Sequence, residues 1–408
     1  REAALAILRA VRGGAPFDAA LDEAIATLPD ADRRLAHEIA AGVLRHREAL
    51  DRRVAPFLGS RSRTVPAELR DVLRIGAYQI EYLDRVPTYA AVHTAVEMAK
   101  RAAGRKRGGL VNAILRRMLR EPASEPATKD LASIHSHPAW LVDRWLRRFG
   151  PERTEALLRH NNTRPPLAVQ PIGTDRANLR ARLERSGIAV RDAPFDAGLI
   201  VEAGDVRTLP GYADGAFIVQ DPAQAHLLAH SGIPADCTVW DACAAPGGKT
   251  VQLSGTRRVI ASDLSARRYS RLVDTVTRTG ADVSLMRADA ARPPLSDEAV
   301  DVVVVDAPCS ATGTMARHPD ARWRLSQRRI AALVDRQRTM LDGVARVVRR
   351  GGLLVYLTCS LEPEENEAQV NGFLQRHPEF AREGDDLAVF PPIGGTDGGF
   401  AARLRKHA

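Results

Sequence analysis

The chain of 408 residues lacks any apolar run long enough for a membrane helix. Its longest runs, around Val300–Val305 and Leu353–Leu357, fall far short of the ~20 residues such a helix needs. Aromatic residues are scarce at 5%, yet apolar residues reach 45% and charged residues 27%, which excludes disorder, collagen and coiled coil. Cysteine is scarce as well. Its four positions, 237, 243, 309 and 359, form no CxxC pair, and no His stands at zinc-ligand spacing from them, so no metal site is expected. Four well-separated thiols in a long chain point to a reducing cytoplasm rather than a disulfide framework. Lysine is nearly missing: five of the 59 basic residues are Lys and the rest Arg, a bias that genome composition explains in large part. The opening Arg1-Glu2-Ala3-Ala4 has no initiator Met and no charged-then-apolar leader, so a trimmed start and no secretion are expected.

What is present is positive charge, unevenly spread. The net charge is +9, and residues 1–127 carry 22 Lys+Arg against 16 Asp+Glu, so +6 lies in under a third of the chain. That asymmetry suits a polyanion such as nucleic acid; a merely solvated surface is the alternative of about equal weight.

At roughly 150 residues per domain, this length implies two or three domains. Residues 1–125 read as helical, because Leu5, Leu8 and Val11, then Val92, Ala95, Val96 and Ala99, then Val111, Ile114, Leu115 and Met118 recur at i, i+3, i+4 spacing. Residues 121–128, rich in Pro and Ala, make the best linker. Residues 131–219 read as a small α+β module: a helix around Trp145, a strand at 167–172, a helix at 177–186 closed by Gly187, and a strand at 198–202. Residues 220–408 alternate strand and helix. Strands are expected at 238–241, 258–263, 283–286, 300–306 and 353–357, with one helical stripe from Tyr269 to Val276 and another from Ile330 to Val348, closed by Gly351-Gly352. Strands that are apolar throughout are buried on both faces, which predicts a mainly parallel α/β sheet.

The first of these strands runs into Asp241-Ala-Cys-Ala-Ala-Pro-Gly-Gly-Lys-Thr250. A Walker A loop would need Gly where Cys243 stands, and the G-x-G-x-x-G dinucleotide fingerprint is absent. The small residues Cys243, Ala244, Ala245, Pro246, Gly247 and Gly248, with Lys249, still let a ligand approach the backbone. Asp263 ends the second strand, where an acid reaches a ribose diol in such folds; Asp289 follows the third and could meet an adenine edge. Acids at successive strand ends without a phosphate loop point to S-adenosylmethionine, which has ribose and adenine but no phosphate chain. Any one of them alone is as often a cap or turn residue. The fourth strand delivers Asp306-Ala-Pro-Cys309 and the fifth Thr358-Cys359-Ser360, both at the carboxyl edge where open sheets place their sites. A lone Cys is usually a buried small hydrophobe, but two at adjacent strand ends are not easily dismissed so.

These blocks, in this order, resemble the Sun/NOL1/NOP2 family of RNA 5-methylcytosine methyltransferases. Gln220-Asp-Pro-Ala-Gln224, His318-Pro-Asp-Ala-Arg-Trp323 and Gly394-Gly-Thr-Asp-Gly-Gly-Phe400 are also similar to that family. With a helical N-terminus that looks like a NusB-type RNA-binding domain, the chain resembles the bacterial RsmB/Sun subfamily, which methylates small-subunit ribosomal RNA. The resemblance implies three parts: an all-α NusB-like domain, an RRM-like α+β module and a Rossmann-like class I methyltransferase domain using S-adenosylmethionine. It implies Cys359 as the nucleophile on cytosine C6, Cys309 as the residue needed for release, and Asp306, with Lys249, near N3; Asp306 is also expected among the cofactor-binding residues. The resemblance implies RNA as the partner, and no membrane. Two other readings compete: a non-catalytic RNA-binding factor on a retained fold, and a DNA enzyme, in which the Pro-Cys thiol, Cys309, would attack. The presence of both thiols argues against the first, and Thr358-Cys359-Ser360 argues against the second.

Overall fold

The computed structural model describes residues 1–59, 64–121, 130–202 and 205–408; beyond Glu121, the expected linker lies outside the described residues. Packing divides the chain into two compact units, Arg1–Arg164 with Met315–Arg324, and Pro165–Thr314 with Leu325–Ala408.

The first unit is helical: α1 (Glu2–Arg12), α2 (Phe17–Ile25), α3 (Asp30–Arg45), α4 (Arg47–Leu58), α5 (Ala67–Tyr82), α6 (Thr88–Ala103), α7 (Arg105–Arg120), α8 (Leu131–Ile134) and α9 (Ala139–Asn161). The stripes read from spacing are the buried faces. Leu5, Leu8 and Val11 of α1 and Val111, Ile114, Leu115 and Met118 of α7 share one core, since residues three and four apart lie on one helical face. Gly42 lets α3 approach α5, because a Cβ there would stand 1.9 Å from the Tyr78 ring. Helix α9 breaks at Gly150, whose φ of 76° is left-handed.

The segment Met315–Arg324 packs in this helical unit, although its sequence position is within the α/β region. Arg322 is fully buried, and its guanidinium donates to the Asn162 Oδ1 (2.7 Å), the Asn161 carbonyl (2.8 Å) and the Ser136 carbonyl (3.3 Å). The Trp323 indole N–H donates to the Leu44 carbonyl (2.7 Å), and the Asp320 carboxylate accepts the Phe17 N–H (3.1 Å). Five planar donors and no acceptor suit Arg for such a cage of oxygens. Arg45 is 6% exposed and donates to the Ala316 carbonyl at 3.0 Å, while Arg47 stacks over Trp323 at 4.8 Å. These two cations are thus engaged in structure.

The second unit opens with a four-stranded antiparallel sheet ordered β2-β3-β1-β4: β1 (Leu167–Pro171), β2 (Val190–Asp192), β3 (Leu199–Val201) and β4 (Phe217–Val219), with α10 (Arg176–Glu184). There follow α11 (Pro222–His230), β5 (Thr238–Asp241), α12 (Gly248–Leu253), β6 (Arg258–Ser262), α13 (Ala266–Thr279), β7 (Val283–Met286), β8 (Val300–Asp306), α14 (Ala321–Arg324, in the helical unit), α15 (Gln327–Ala345), β9 (Val348–Thr358), α16 (Glu367–Arg376), β10 (Phe380–Arg382), β11 (Leu387–Val389) and β12 (Gly399–Lys406). The large sheet is ordered β10-β12-β9-β8-β5-β6-β7, with β11 beside β12. Strands β5 to β9 run parallel, and β10, β11 and β12 add an antiparallel edge. Val303, Val304 and Val305 of β8 are fully buried, as a strand covered on both faces requires.

One expectation is corrected here. The stripe ending at Val348 is not all helix: α15 stops at Ala345, and Val348 begins β9, which runs through Gly351-Gly352. β-Branched Val347 and Val348 favour the extended chain, and Gly351 takes a left-handed φ of 68° within the strand. The antiparallel edge, the residues closing the chain, carried no strand expectation.

Candidate active site

The order β7-β6-β5-β8-β9 reverses direction between β5 and β8, and the carboxyl ends of the strands flanking such a switch point converge on one crevice. Asp241 ends β5 and is fully buried; its Oδ2 accepts the Thr250 hydroxyl at 2.7 Å, while Oδ1 has no side-chain hydrogen-bond partner among the described residues. Burial pushes its carboxyl up to about 7, against the Thr250 bond that favours the charge. The following loop is folded by the Ala244 N–H on the Ser262 carbonyl (2.9 Å) and the Gly247 N–H on the Ala244 carbonyl (2.8 Å). Gly247 has φ 107°, and a Cβ there would meet Leu272 and Thr275 at 3.1 Å, so Gly is required. Cys243 is buried, and burial pushes its thiol well above the usual range, so it offers a small surface rather than a nucleophile. Pro246 is exposed on this loop.

Asp263 follows β6 at 7% exposure. Its Oδ1 accepts the Ser265 N–H (3.0 Å), and its Oδ2 pairs with the Arg268 Nε (3.1 Å), whose other end donates to the Ala245 carbonyl (2.8 Å). Arg268 thereby ties the acid at the β6 end to the loop after β5. Asp289 is half-buried and caps a local turn, its Oδ1 accepting the Ala291 N–H at 3.0 Å. The loop of small residues, the buried acceptor Asp241 Oδ1 and the Asp263 carboxylate fit a polar, phosphate-free ligand such as S-adenosylmethionine.

The ends of β8 and β9 bring the other residues together. The sulfurs of Cys309 and Cys359 lie 3.3 Å apart, and both residues are half-buried. The hydrogen bond to Cys359, then burial, hold the Cys309 thiol well above its ordinary range. Lys249, reaching in from α12, donates to the Asp306 Oδ2 at 2.7 Å and to the Gln224 Oε1 at 3.1 Å. Burial works against the Lys249 charge, but the Asp306 carboxylate and its hydrogen bond outweigh it, with smaller contributions from Cys359 and Asp241, and the pKa rises. Lys249 is therefore an ammonium donor here.

Sequence reasoning missed four side chains. Gln224 lay in a quoted block but had no role; here it is a second acceptor for Lys249. Arg268 had no role either; here it braces Asp263. Glu365 and Gln337 were not singled out, yet Glu365 is fully buried beneath the two cysteine loops. The available hint for Glu365 was its place in Glu362-Pro-Glu-Glu-Asn366, six residues past Cys359.

Comparison with known proteins agrees with this layout. Residues 233–405 match the family described as 16S rRNA methyltransferase RsmB/F, residues 1–120 the NusB family, and residues 137–207 the ferredoxin-like domain of RsmF/B-like methyltransferases. The chain is 33% identical to the probable ribosomal RNA small subunit methyltransferase B of Synechocystis, over 100% of this chain and 99% of that one. It is 34% identical to ribosomal RNA small subunit methyltransferase B of Vibrio cholerae, over 99% and 96%. Among solved structures, PH0851 superposes with a TM-score of 0.83 at 26% identity, covering 99% of this chain and 98% of that chain. NSun6 from Pyrococcus horikoshii with SFG superposes at 0.60 and 19% identity, over 66% and 98%, and shows the fold alone.

Proposed function

The chain belongs to the RsmB/F family of 16S rRNA methyltransferases, and from that premise we propose that it methylates C5 of a cytosine in small-subunit ribosomal RNA through a covalent bond from Cys359 to C6. The observation that carries this reading is the pair of sulfurs at 3.3 Å on adjacent strand ends, with the Lys249–Asp306 pair also at the β8 end. S-Adenosylmethionine is the cofactor of the family; Cys243–Lys249, Asp263 and Asp289 are the residues that would hold it, and it would supply an electrophilic methyl group.

The chain's own residues do the rest. C5 of cytosine is too weak a nucleophile to take a methyl group unaided. The Cys359 thiolate adds to C6 and makes C5 enamine-like. Asp306 and its ammonium partner Lys249 share a proton with N3, which takes up the electron pair displaced by the addition. Once C5 carries the methyl group, its proton must leave and the Cys359–C6 bond must break. Cys309, within hydrogen-bonding distance of Cys359, is the residue for that release. The base must be unstacked to enter.

The test is a pair of variants incubated with unmodified ribosomal RNA and S-adenosylmethionine. Cys359→Ala yields no adduct and no product. Cys309→Ala stays joined to methylated RNA through denaturing electrophoresis, and the double variant shows no adduct. If Cys359→Ala traps nucleic acid and Cys309→Ala does not, the DNA-type assignment of roles holds instead. If wild-type protein binds RNA but releases no tritium from 5-tritiated cytosine, the chain is a binding factor.

A further inference from the structure

Beneath the two thiols lies a carboxylate that the mechanism above does not use. Glu365 is fully buried. Its Oε1 accepts the Ser310 N–H at 2.9 Å and the Gln337 side-chain amide at 3.0 Å. Its Oε2 accepts the Ser310 hydroxyl, in a short bond, and the Ser360 hydroxyl at 2.5 Å. Ser310 follows Cys309, and Ser360 follows Cys359. One carboxylate thus takes four donors, three of them from the residues next to the two sulfurs. The two serine hydroxyls stand 3.0 Å apart, and the Ser360 hydroxyl in turn accepts the Glu362 N–H at 2.9 Å.

We propose that Glu365 is a positioning residue that clamps the loop after β8 to the loop after β9, and so fixes the Cys309–Cys359 separation on which addition and release both depend. The inference rests on the reading of the two thiols given above. A burial cost opposes an ion at this depth, and burial does push the Glu365 carboxyl upward. Four donors converging on it are what holds it in place. A merely structural acid anchoring the start of α16 would need bonds to its own turn. Glu365 instead bonds across 55 residues of sequence to Ser310. Gln337, from α15, completes the set from a third element and also donates to the Pro308 carbonyl (3.0 Å), one residue before Cys309.

The arrangement predicts a readout that needs no RNA. Diamide, a diazene, takes two hydrogens from two thiols and becomes a hydrazine as the disulfide forms. With the sulfurs held together, the 309–359 disulfide forms quickly, and peptide mass spectrometry separates it from Cys237 and Cys243. Glu365→Gln keeps the volume but replaces one acceptor oxygen with a donor. In this variant, disulfide formation is expected to slow by about 10- to 100-fold, and methyl transfer to fall comparably at unchanged KM for S-adenosylmethionine, the range that a misplacement of up to ~1 Å produces. The double variant Ser310→Ala, Ser360→Ala removes the clamped hydroxyls, leaves Glu365, and reproduces both effects even if Glu365→Gln folds poorly. The inference is overturned if either variant, folded by thermal melting, keeps both rates within twofold of wild type. It is also overturned if both rates fall only in proportion to lost cofactor binding. If disulfide formation slows while wild-type protein never methylates C5, the clamp stands and the proposed reaction fails.

Discussion

Replacing Gly313 with Ala puts one methyl group where three segments of the site meet. The Gly313 N–H donates to the Cys359 carbonyl at 3.0 Å, and its carbonyl accepts the Gly398 N–H at 2.8 Å. A Cβ would stand 2.6 Å from the Gly398 oxygen and 2.9 Å from the Cys359 oxygen. Both neighbours are backbone, so no side chain can swing away. Ordinary contact begins near 3.4 Å, so the loop after β9 and the segment before β12 must each shift by several tenths of an ångström. Inserting a methyl group into a packed site of this kind costs about 1–3 kcal/mol. For a domain of roughly 150–250 residues, that is a fall of about 2–12 °C in the melting of the α/β unit. The displaced loop carries Cys359, whose sulfur is 3.3 Å from Cys309. Methyl transfer should therefore fall about 10- to 100-fold, while S-adenosylmethionine binding, proposed along the loop after β5 and at Asp263, is kept. Gly109→Ala is the matched control: a Cβ there meets nothing within 4 Å, and the site is in helix α7. Calorimetric melting and single-turnover methyl transfer measure both quantities. If Gly313→Ala melts and turns over like Gly109→Ala, the claim that this glycine holds the thiol loops in register is wrong.

Three further outcomes are expected. Asp263→Ala removes the carboxylate proposed to hold the cofactor ribose and should weaken S-adenosylmethionine by ~1.5–3 kcal/mol with RNA binding intact; normal affinity by calorimetry in the folded variant would exclude the ribose role. Arg105, Lys106 and Arg107 are exposed at the start of α7, whereas Arg101 and Arg117 pair with Glu2 and Glu121 at 2.9 and 2.7 Å. Changing the three to Gln should flatten the salt dependence of RNA affinity by ~0.7–0.9 log units per lost phosphate contact, and an unchanged slope in a filter-binding series would remove this patch from the RNA path. Burial, then Arg322 and Arg45, lower His46 to about 4, so the unfolded chain binds the extra proton between pH 6.5 and 4. The stability from a neutral His46 is whole above pH 6.5 and is lost as pH falls, by about 3 kcal/mol in all. His46→Phe keeps a ring against Tyr82, 4.3 Å away, and hydrogen exchange in α3–α5 should lose that part of its pH slope; an identical slope would refute it.

Much of the architecture was legible because its signals are periodic. Val111, Ile114, Leu115 and Met118 announce a buried helical face by spacing alone, and Val302–Val305 announce a strand covered on both sides. Where the chain breaks period, reading fails. Val348 continues an apolar stripe but belongs to β9, and of the eight residues of β12 only Gly399 and Phe400 fell within the block that resembled a family ending. The segment Met315–Arg324 is the deeper case. Nothing local distinguishes it from its neighbours in the α/β region, yet it packs among the helices because Arg322 finds its oxygens at Ser136, Asn161 and Asn162, more than 150 residues upstream. For the same reason, deleting residues 1–125 is a poor test of RNA binding: it would strip partners from Asp320 and Trp323 and expose an apolar indole. Charge neutralisation at Arg105–Arg107 leaves that packing alone.

The site divides along a similar line. Asp241, Asp263, Asp306, Cys309 and Cys359 could be picked out because a parallel sheet sends every strand's carboxyl end to one edge, so position relative to a strand is already position in space. Lys249 joined them because it lies just past a strand, though its partner Asp306, 57 residues on, was not fixed by spacing. Glu365 has no such rule. It follows β9 by seven residues and reaches the site from below, through two serines whose own prominence is only that they follow cysteines. Its burial costs free energy unless donors surround it, and three of its four donors come from positions 310 and 337, which no periodicity links to 365. An acid near a catalytic motif in sequence is usually solvated. What marks this one is the count of donors on its two oxygens, a property of the folded chain.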